Sequence, residues 1–266
     1  MALGRTGAGL SKEPNCLVYT VEMNKILIPL TLVLLVLLAV SMVANYTLYK
    51  KAFLPLYATK QDPLELRYYP VSENPANNGK PIFLLYGDSR SLSWPAPELG
   101  GYQVINRGIG NQSSTQVAMR FGLHAESLMP DTILIQVCVN DLKTIPLFPE
   151  QREQIIHDCK SNIDEMIADA AAIDATVLLT TVFPLGDIPI ERRLFGFDER
   201  AIIPAIDEVN EHIKGIEAEH VRIFDTYELL KGEGRKINPD YSRDWLHLNE
   251  QGYQRLNQAL VEFVKG

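Results

Sequence analysis

Four short polar clusters carry the residue types that acyl or phosphoryl chemistry needs. They are Gly87-Asp88-Ser89, Asn106-Arg107-Gly108-Ile109-Gly110-Asn111-Gln112, Val139-Asn140-Asp141 and Asp244-Trp245-Leu246-His247. The first ends the apolar run Pro81-Ile82-Phe83-Leu84-Leu85-Tyr86, so Ser89 stands where a buried strand turns toward a helix. A serine at a helix start is surrounded by backbone N–H groups that can hold a developing oxyanion. The plain alternative is an N-cap serine beside an aspartate. Asp244 precedes His247 by three residues, within local reach of the imidazole. Asp88, Asp141, Asp244 and His247 also suggest a different chemistry, metal-dependent phosphoester cleavage. Dinuclear metal sites usually use more histidines, and an H-x-x-x-H spacing is absent. His124, His157, His212 and His220 fall in helical or helix-end patterns and are given no role.

These clusters need elements to bring them together. Strand patterns cover 81–86, 102–106, 132–137, 176–182 and 221–224, and helical patterns cover about 112–128, 150–173, 199–219 and 249–264. The run Thr132-Ile133-Leu134-Ile135-Gln136-Val137 is nearly continuous in apolar residues, as in a strand covered on both faces. Alternation of this kind predicts an α/β fold, a three-layer α/β/α sandwich with a mainly parallel, five-stranded, flavodoxin-like sheet. Such a sheet would gather all four clusters at one edge, where ligands bind in open α/β folds.

In this order, the four clusters resemble the blocks of the SGNH hydrolases, also called the GDSL esterase/lipase superfamily. The resemblance covers about residues 80–266. It extends to Val104-Ile105-Asn106-Arg107-Gly108, to Gln136-Val137-Cys138-Val139-Asn140-Asp141-Leu142 and to His247-Leu248-Asn249-Glu250-Gln251-Gly252-Tyr253. It implies a serine esterase without metal or other cofactor: Ser89 as nucleophile, His247 as general base and then acid, and Asp244 as the group that orients the ring. It also implies three oxyanion donors, the Ser89 N–H, a backbone N–H of the second block and the Asn140 side chain. The substrate would be a small ester, an acylated glycan or a lipid such as a lysophospholipid. Transfer of the acyl group to a sugar hydroxyl is the closest variant. A non-catalytic binding domain is the reading furthest from this, since every catalytic residue type is present.

Several positions depart from the family pattern. The oxyanion glycine of the second block aligns with Asn111, the non-glycine residue most at ease at positive φ. Gly110 is the alternate donor if the register slips by one, and Asp88 is a further alternate site residue. Cys138 replaces a glycine and is expected to narrow the pocket. Arg90 follows the nucleophile where many relatives carry leucine; it would bind an anionic substrate group or pair with a carboxylate. The long excursion 183–200 follows the fourth strand on the same edge. Its Arg192 and Arg193, set among apolar neighbours, would suit an acidic or amphiphilic substrate.

The chain has 266 residues, 46% of them hydrophobic, and a net charge of −8. This fits one globular domain with an appendage, and no basic stripe is present to neutralise nucleic acid. Cys16, Cys138 and Cys159 have no metal-like spacing. Buried thiols are expected, with a Cys138–Cys159 bridge as the alternative in an exported domain. Residues 1–22, within an N-terminal tail of 1–25, read as disordered, and Met23 resembles a translation start. Ile26 to Ala44 carries no charge and would span roughly 29 Å as a helix, about one hydrocarbon core. We read 26–45 as an uncleaved membrane anchor, with a signal peptide as the rival, and 46–79 as a proline-broken linker to the domain at 80–266. Lys50-Lys51 favours a cytoplasmic carboxyl side. A terminal anchor ahead of one soluble domain favours an extracytoplasmic one, since long domains translocate largely regardless of charge.

Overall fold

The computed structural model describes residues 16–76 and 78–266. It divides into two compact units between Gln61 and Asp62. The first is a single helix, α1 (Cys16–Gln61). Its Lys25–Gln61 portion is long and apolar enough to cross a membrane, and none of its most apolar window is buried within the protein. The helix begins inside the segment expected to lack structure; residues 1–15 of that expectation lie outside the described residues.

The helix also continues through 46–61, where a linker was expected. Aromatic spacing explains the continuation. Tyr49 and Phe53 stack at 4.3 Å, and the Lys50 ammonium sits 4.7 Å above the Tyr46 ring. Pro55 costs the helix one hydrogen bond, which the ring contacts on either side offset. The remaining part of the expected linker belongs to the second unit. There Asp62 accepts from the Leu66 and Arg67 amides, and the Tyr69 hydroxyl donates to the Gly108 carbonyl at 2.9 Å.

The second unit is built on five parallel strands: β1 (Ile82–Gly87), β2 (Gln103–Gly108), β3 (Thr132–Gln136), β4 (Thr176–Thr180) and β5 (Val221–Phe224). Their spatial order is β2-β1-β3-β4-β5, the doubly wound flavodoxin-like order. Alternation along β1 serves two cores. Ile82, Leu84 and Tyr86 join one with α6 (Arg152–Ala172) and α8 (Glu199–Lys214), while Phe83 and Leu85 join the other with Leu256 and Leu260 of α10 (Glu250–Lys265). This is the three-layer α/β/α sandwich.

Short helices follow the strands on the site edge: α2 (Ser89–Leu92) after β1, α3 (Ser114–Met119) and α4 (Phe121–His124) after β2, and α5 (Val139–Leu142) after β3. Later come α7 (Ile190–Leu194) and α9 (Thr226–Leu230). The helix expected over 112–128 breaks at Arg120. That side chain turns inward, donates to Gln112 and to the Gly87 carbonyl, and lies 4.4 Å above the Tyr86 ring. The fourth strand stops at Thr180 rather than 182, because Val182 bonds the Asn210 side chain instead of a neighbouring strand.

Candidate active site

The turn after β1 depends on close backbone approach. Gly87 has φ 154°, and a Cβ there would sit 1.9 Å from the Gln136 carbonyl oxygen. Only glycine lets β1 turn so near β3. Asp88 caps α2 by accepting from the Arg90 amide at 2.9 Å. Asp88 is fully buried, and burial raises its pKa against the pull of Arg90. From β2, Asn106 donates to the Ser91 carbonyl at 2.8 Å and accepts from the Gly108 amide at 2.8 Å. From α10, the Tyr253 hydroxyl donates to the Arg90 carbonyl at 2.8 Å. Ser89 is thus held from both sides while keeping part of its surface exposed.

His247 reaches this serine from the far end of the chain. Ser89 Oγ lies 2.9 Å from His247 Nε2, and His247 Nδ1 lies 2.9 and 3.0 Å from the two Asp244 carboxylate oxygens. Short-range bonds shape the loop that carries both residues. Asp244 Oδ1 accepts from the Leu246 and His247 amides, and the Ser242 hydroxyl donates to the Asp244 carbonyl. Asn249 caps α10 and ties the loop back to the Asp240 carbonyl at 2.7 Å. Partial burial opposes the charge on Asp244. The two amides and the imidazole outweigh it and hold the carboxyl below its ordinary pKa. A serine hydroxyl, an imidazole and an ionised carboxylate in one relay can move a proton off Oγ and back to a leaving group.

The expected oxyanion donors lie at the ends of β1, β2 and β3. Among the described residues, the Ser89, Gly110 and Asn111 amides take no hydrogen-bond acceptor. Asn111 has φ 64°, the left-handed backbone expected of a residue standing for glycine; Gly110 does not. Asn140 is buried and donates from Nδ2 to the Gln112 carbonyl at 2.9 Å. Asp141 accepts from both the amide and the hydroxyl of Ser114, at 2.9 and 2.8 Å, and so fixes the start of α3. Enclosure of this carboxylate raises its pKa to about 6, even against those bonds. Lys143, which sequence reasoning missed, donates to Asn140 Oδ1 at 2.5 Å and to Asn111 Oδ1 at 3.1 Å. Its signal was the i,i+3 spacing from Asn140, which means nothing until a helix is placed over 139–142.

Three expectations are corrected here. Cys138 and Cys159 form a disulfide rather than two buried thiols, because the end of β3 meets α6 at a Cα separation of 5.8 Å. The Cys138 side chain therefore faces α6 and is 1% exposed, so it does not narrow a pocket. Its φ of 82° keeps the glycine-like backbone of the position it fills. Arg90 has no exposed surface with which to meet a substrate. Its Nε donates to the Leu246 carbonyl at 2.8 Å, and its guanidinium lies 5.0 Å from the Phe183 ring. Burial lowers its pKa to about 10, with Asp88 and Asp244 pulling the other way. Arg90 braces the histidine loop from beneath.

The excursion after β4 carries α7, with Ile190, Leu194 and Phe195 largely exposed. Arg193 is turned to the Ile188 carbonyl and to Glu199. Among the described residues, no group of three or more His, Cys, Asp or Glu side chains is placed to hold a metal.

Comparison with known proteins agrees with this architecture. The profile of the GDSL-like lipase/acylhydrolase family matches residues 81–255. No curated protein matches the chain. Among solved structures, a protein described as an acylhydrolase from Bacteroides fragilis shares 22% identity at a TM-score of 0.62, covering 77% of this chain and 97% of its own. A GDSL-like lipase from Bacteroides thetaiotaomicron shares 21% at 0.59, covering 76% and 98%. An acetyl xylan esterase from Geobacillus stearothermophilus, solved as a variant, shares 16% at 0.54, covering 69% and 94%. At these identities the likeness is one of fold. The family match spans most of the chain and all but the very end of the domain, so this chain belongs to the GDSL-like lipase/acylhydrolase family and is an ester hydrolase by membership.

Proposed function

We propose that the protein is a serine esterase acting through an acyl-enzyme at Ser89. The observation that carries this reading is the continuous relay Ser89 Oγ–His247 Nε2–Asp244, with each link at 2.9 Å. In the first step Oγ bonds to the ester carbonyl carbon as its proton passes to His247 Nε2. The carbonyl electrons move to oxygen, which faces the Ser89 and Asn111 amides and the Asn140 side chain. Collapse breaks the bond to the alkoxy oxygen, and His247 returns the proton to the departing alcohol. Water then repeats the sequence and releases the acid. Asp244 holds the ring and offsets the imidazolium charge.

Short acyl groups on polar carriers, such as acetylated glycans, are the proposed substrates. The side chains on the donor side are polar (Asn111, Asn140, Lys143), and the acetyl xylan esterase of like fold acts on such an ester. Transfer to a sugar hydroxyl would use the same first half-reaction. We further propose a membrane-anchored protein with its catalytic domain outside the cytoplasm. The apolar helix and the Tyr46, Tyr49, Phe53 and Tyr57 belt support the anchor, and the Cys138–Cys159 bridge supports the outer side.

Hydrolysis of nitrophenyl acetate by the full chain in detergent tests the mechanism. Ser89→Ala is expected to lower kcat by about 10⁶-fold, and a chelator is expected to leave the wild type unchanged. Residual activity of the Ala variant near the wild-type level would refute a serine nucleophile.

A further inference from the structure

We propose that Lys143 is a positioning residue that ties both halves of the oxyanion site together through the side chains of Asn140 and Asn111. The inference rests on the esterase reading above and names a part of its machinery. The ammonium donates to Asn140 Oδ1 at 2.5 Å and to Asn111 Oδ1 at 3.1 Å. An ammonium has three donors and no acceptor, so only the oxygen end of each amide can face it. On Asn140 this fixes which end points where. Oδ1 turns to Lys143 and Nδ2 turns the other way, where one N–H is taken by the Gln112 carbonyl at 2.9 Å. The second N–H remains for an oxyanion. The Gln112 carbonyl favours the same orientation from the other end; without Lys143 it holds the amide alone, and the reversed orientation would present an acceptor to a developing negative charge.

On Asn111 the same ammonium holds the side chain to one side of a backbone at φ 64°. That leaves the amide N–H of a non-glycine residue free of its own side chain. The position is one where relatives use glycine, so the lysine compensates for the side chain Asn111 introduces. Its charge also lies beside the place where the oxyanion forms, in a partly desolvated setting where such a charge counts for more than in water.

The charge should be titratable within reach of experiment. Desolvation first lowers the Lys143 pKa from its ordinary value, and Arg90 of α2 and Arg192 of α7 push the same way. Asp88 in the turn after β1 and Asp141 on α5 oppose them. The net direction is downward, so the ammonium is lost at a lower pH than in a free lysine.

The test uses the full chain in detergent micelles with Lys143→Met and Lys143→Arg. Two readouts are followed from pH 7 to 11: ester kcat and KM, and the rate at which a fluorophosphonate labels Ser89. The phosphonyl oxygen needs the same donors as an ester oxyanion. Lys143→Met is expected to lower kcat and the labelling rate at least tenfold at pH 7, with KM within about twofold. It should also remove the Lys143 part of the alkaline decline expected of the wild type, leaving the part due to Arg90, whose pKa is lowered to about 10. Lys143→Arg, which keeps its charge across this range, is expected to recover most of the rate and to show only that same Arg90 decline. Equal labelling of wild type and Lys143→Met with the same pH profile would overturn the role of Lys143 and leave the esterase reading intact. A loss in the Met variant that the Arg variant does not recover, with the alkaline decline unmoved, would also overturn it. No labelling of wild-type Ser89 above that of Ser89→Ala would overturn both readings.

Discussion

The two halves of the candidate site are built in opposite ways. The proton-transfer half is local and half exposed. Asp244, Leu246 and His247 bond one another within three residues, and Ser242 and Asn249 complete the loop. The donor half centres on the buried Asn140 and is assembled from distant segments. Asn140 meets Gln112 across 28 residues, Asp141 meets Ser114 across 27, Lys143 meets Asn111 across 32, and Cys138 is bridged to Cys159 across 21. A local loop fixes the base against its carboxylate by its own short-range bonds, with Arg90 and Gly186 as its outside braces. Donors that must converge on one oxygen from three strand ends depend on the sheet register and on everything that pins the turns. The first half should therefore fail in rate alone when damaged, and the second in rate and stability together.

The largest separation is expected between Asp244→Ala and Asn140→Ala. Removing Asp244 takes away the group that orients the ring, and kcat for nitrophenyl acetate should fall about 10⁴-fold. Its carboxylate is 41% exposed and its partners lie within three residues, so the urea midpoint should move less than in the Asn140 variant. Removing the Asn140 amide should lower kcat by about 10²–10³-fold, the usual loss for one oxyanion donor. It also strips a partner from the Gln112 carbonyl and from Lys143, so stability should fall by about 1–3 kcal/mol. A midpoint that drops as far in the Asp244 variant as in the Asn140 variant would remove the distinction between the halves.

The same contrast decides what could be read before the fold was known. The five strands and the long helices follow from apolar runs and helical spacing, and β5 falls on 221–224 as its pattern indicates. The Asp244-Trp245-Leu246-His247 spacing shows a carboxylate within reach of an imidazole without any tertiary information. Asn111 at positive φ follows from the family resemblance, which sets it against a glycine, together with asparagine's tolerance of that backbone. The roles of Arg90, Cys138 and Lys143 are not legible in the sequence for one shared reason: each is defined by a partner far away along the chain. Arg90 faces Leu246 and Phe183, Cys138 faces Cys159, and Lys143 faces Asn111. Nothing near these residues in the chain reveals those partners. The linker expected over 46–61 is a different case. Its prolines read as breakers, while aromatic spacing along the helix carries it past Pro55.

The smallest expected effect separates the halves by sign. Asp141 belongs to the donor half, and enclosure raises its pKa from 3.8 to about 6. The folded state then holds this proton more tightly than the unfolded chain. Its contribution is fully present below pH 3.8 and is lost as pH rises through about 6. Asp244 belongs to the other half and has a lowered pKa, so its contribution is present above the unfolded value and lost as pH falls. Urea unfolding of the full chain between pH 3 and 8, beside Asp141→Asn and Asp244→Asn, reads both. The stability of wild type minus Asp141→Asn should decline with rising pH by on the order of 3 kcal/mol at most. The stability of wild type minus Asp244→Asn should rise instead, by less, because solvent screens that exposed carboxylate. Two slopes of the same sign would mean that burial on the donor side does not govern the Asp141 carboxylate.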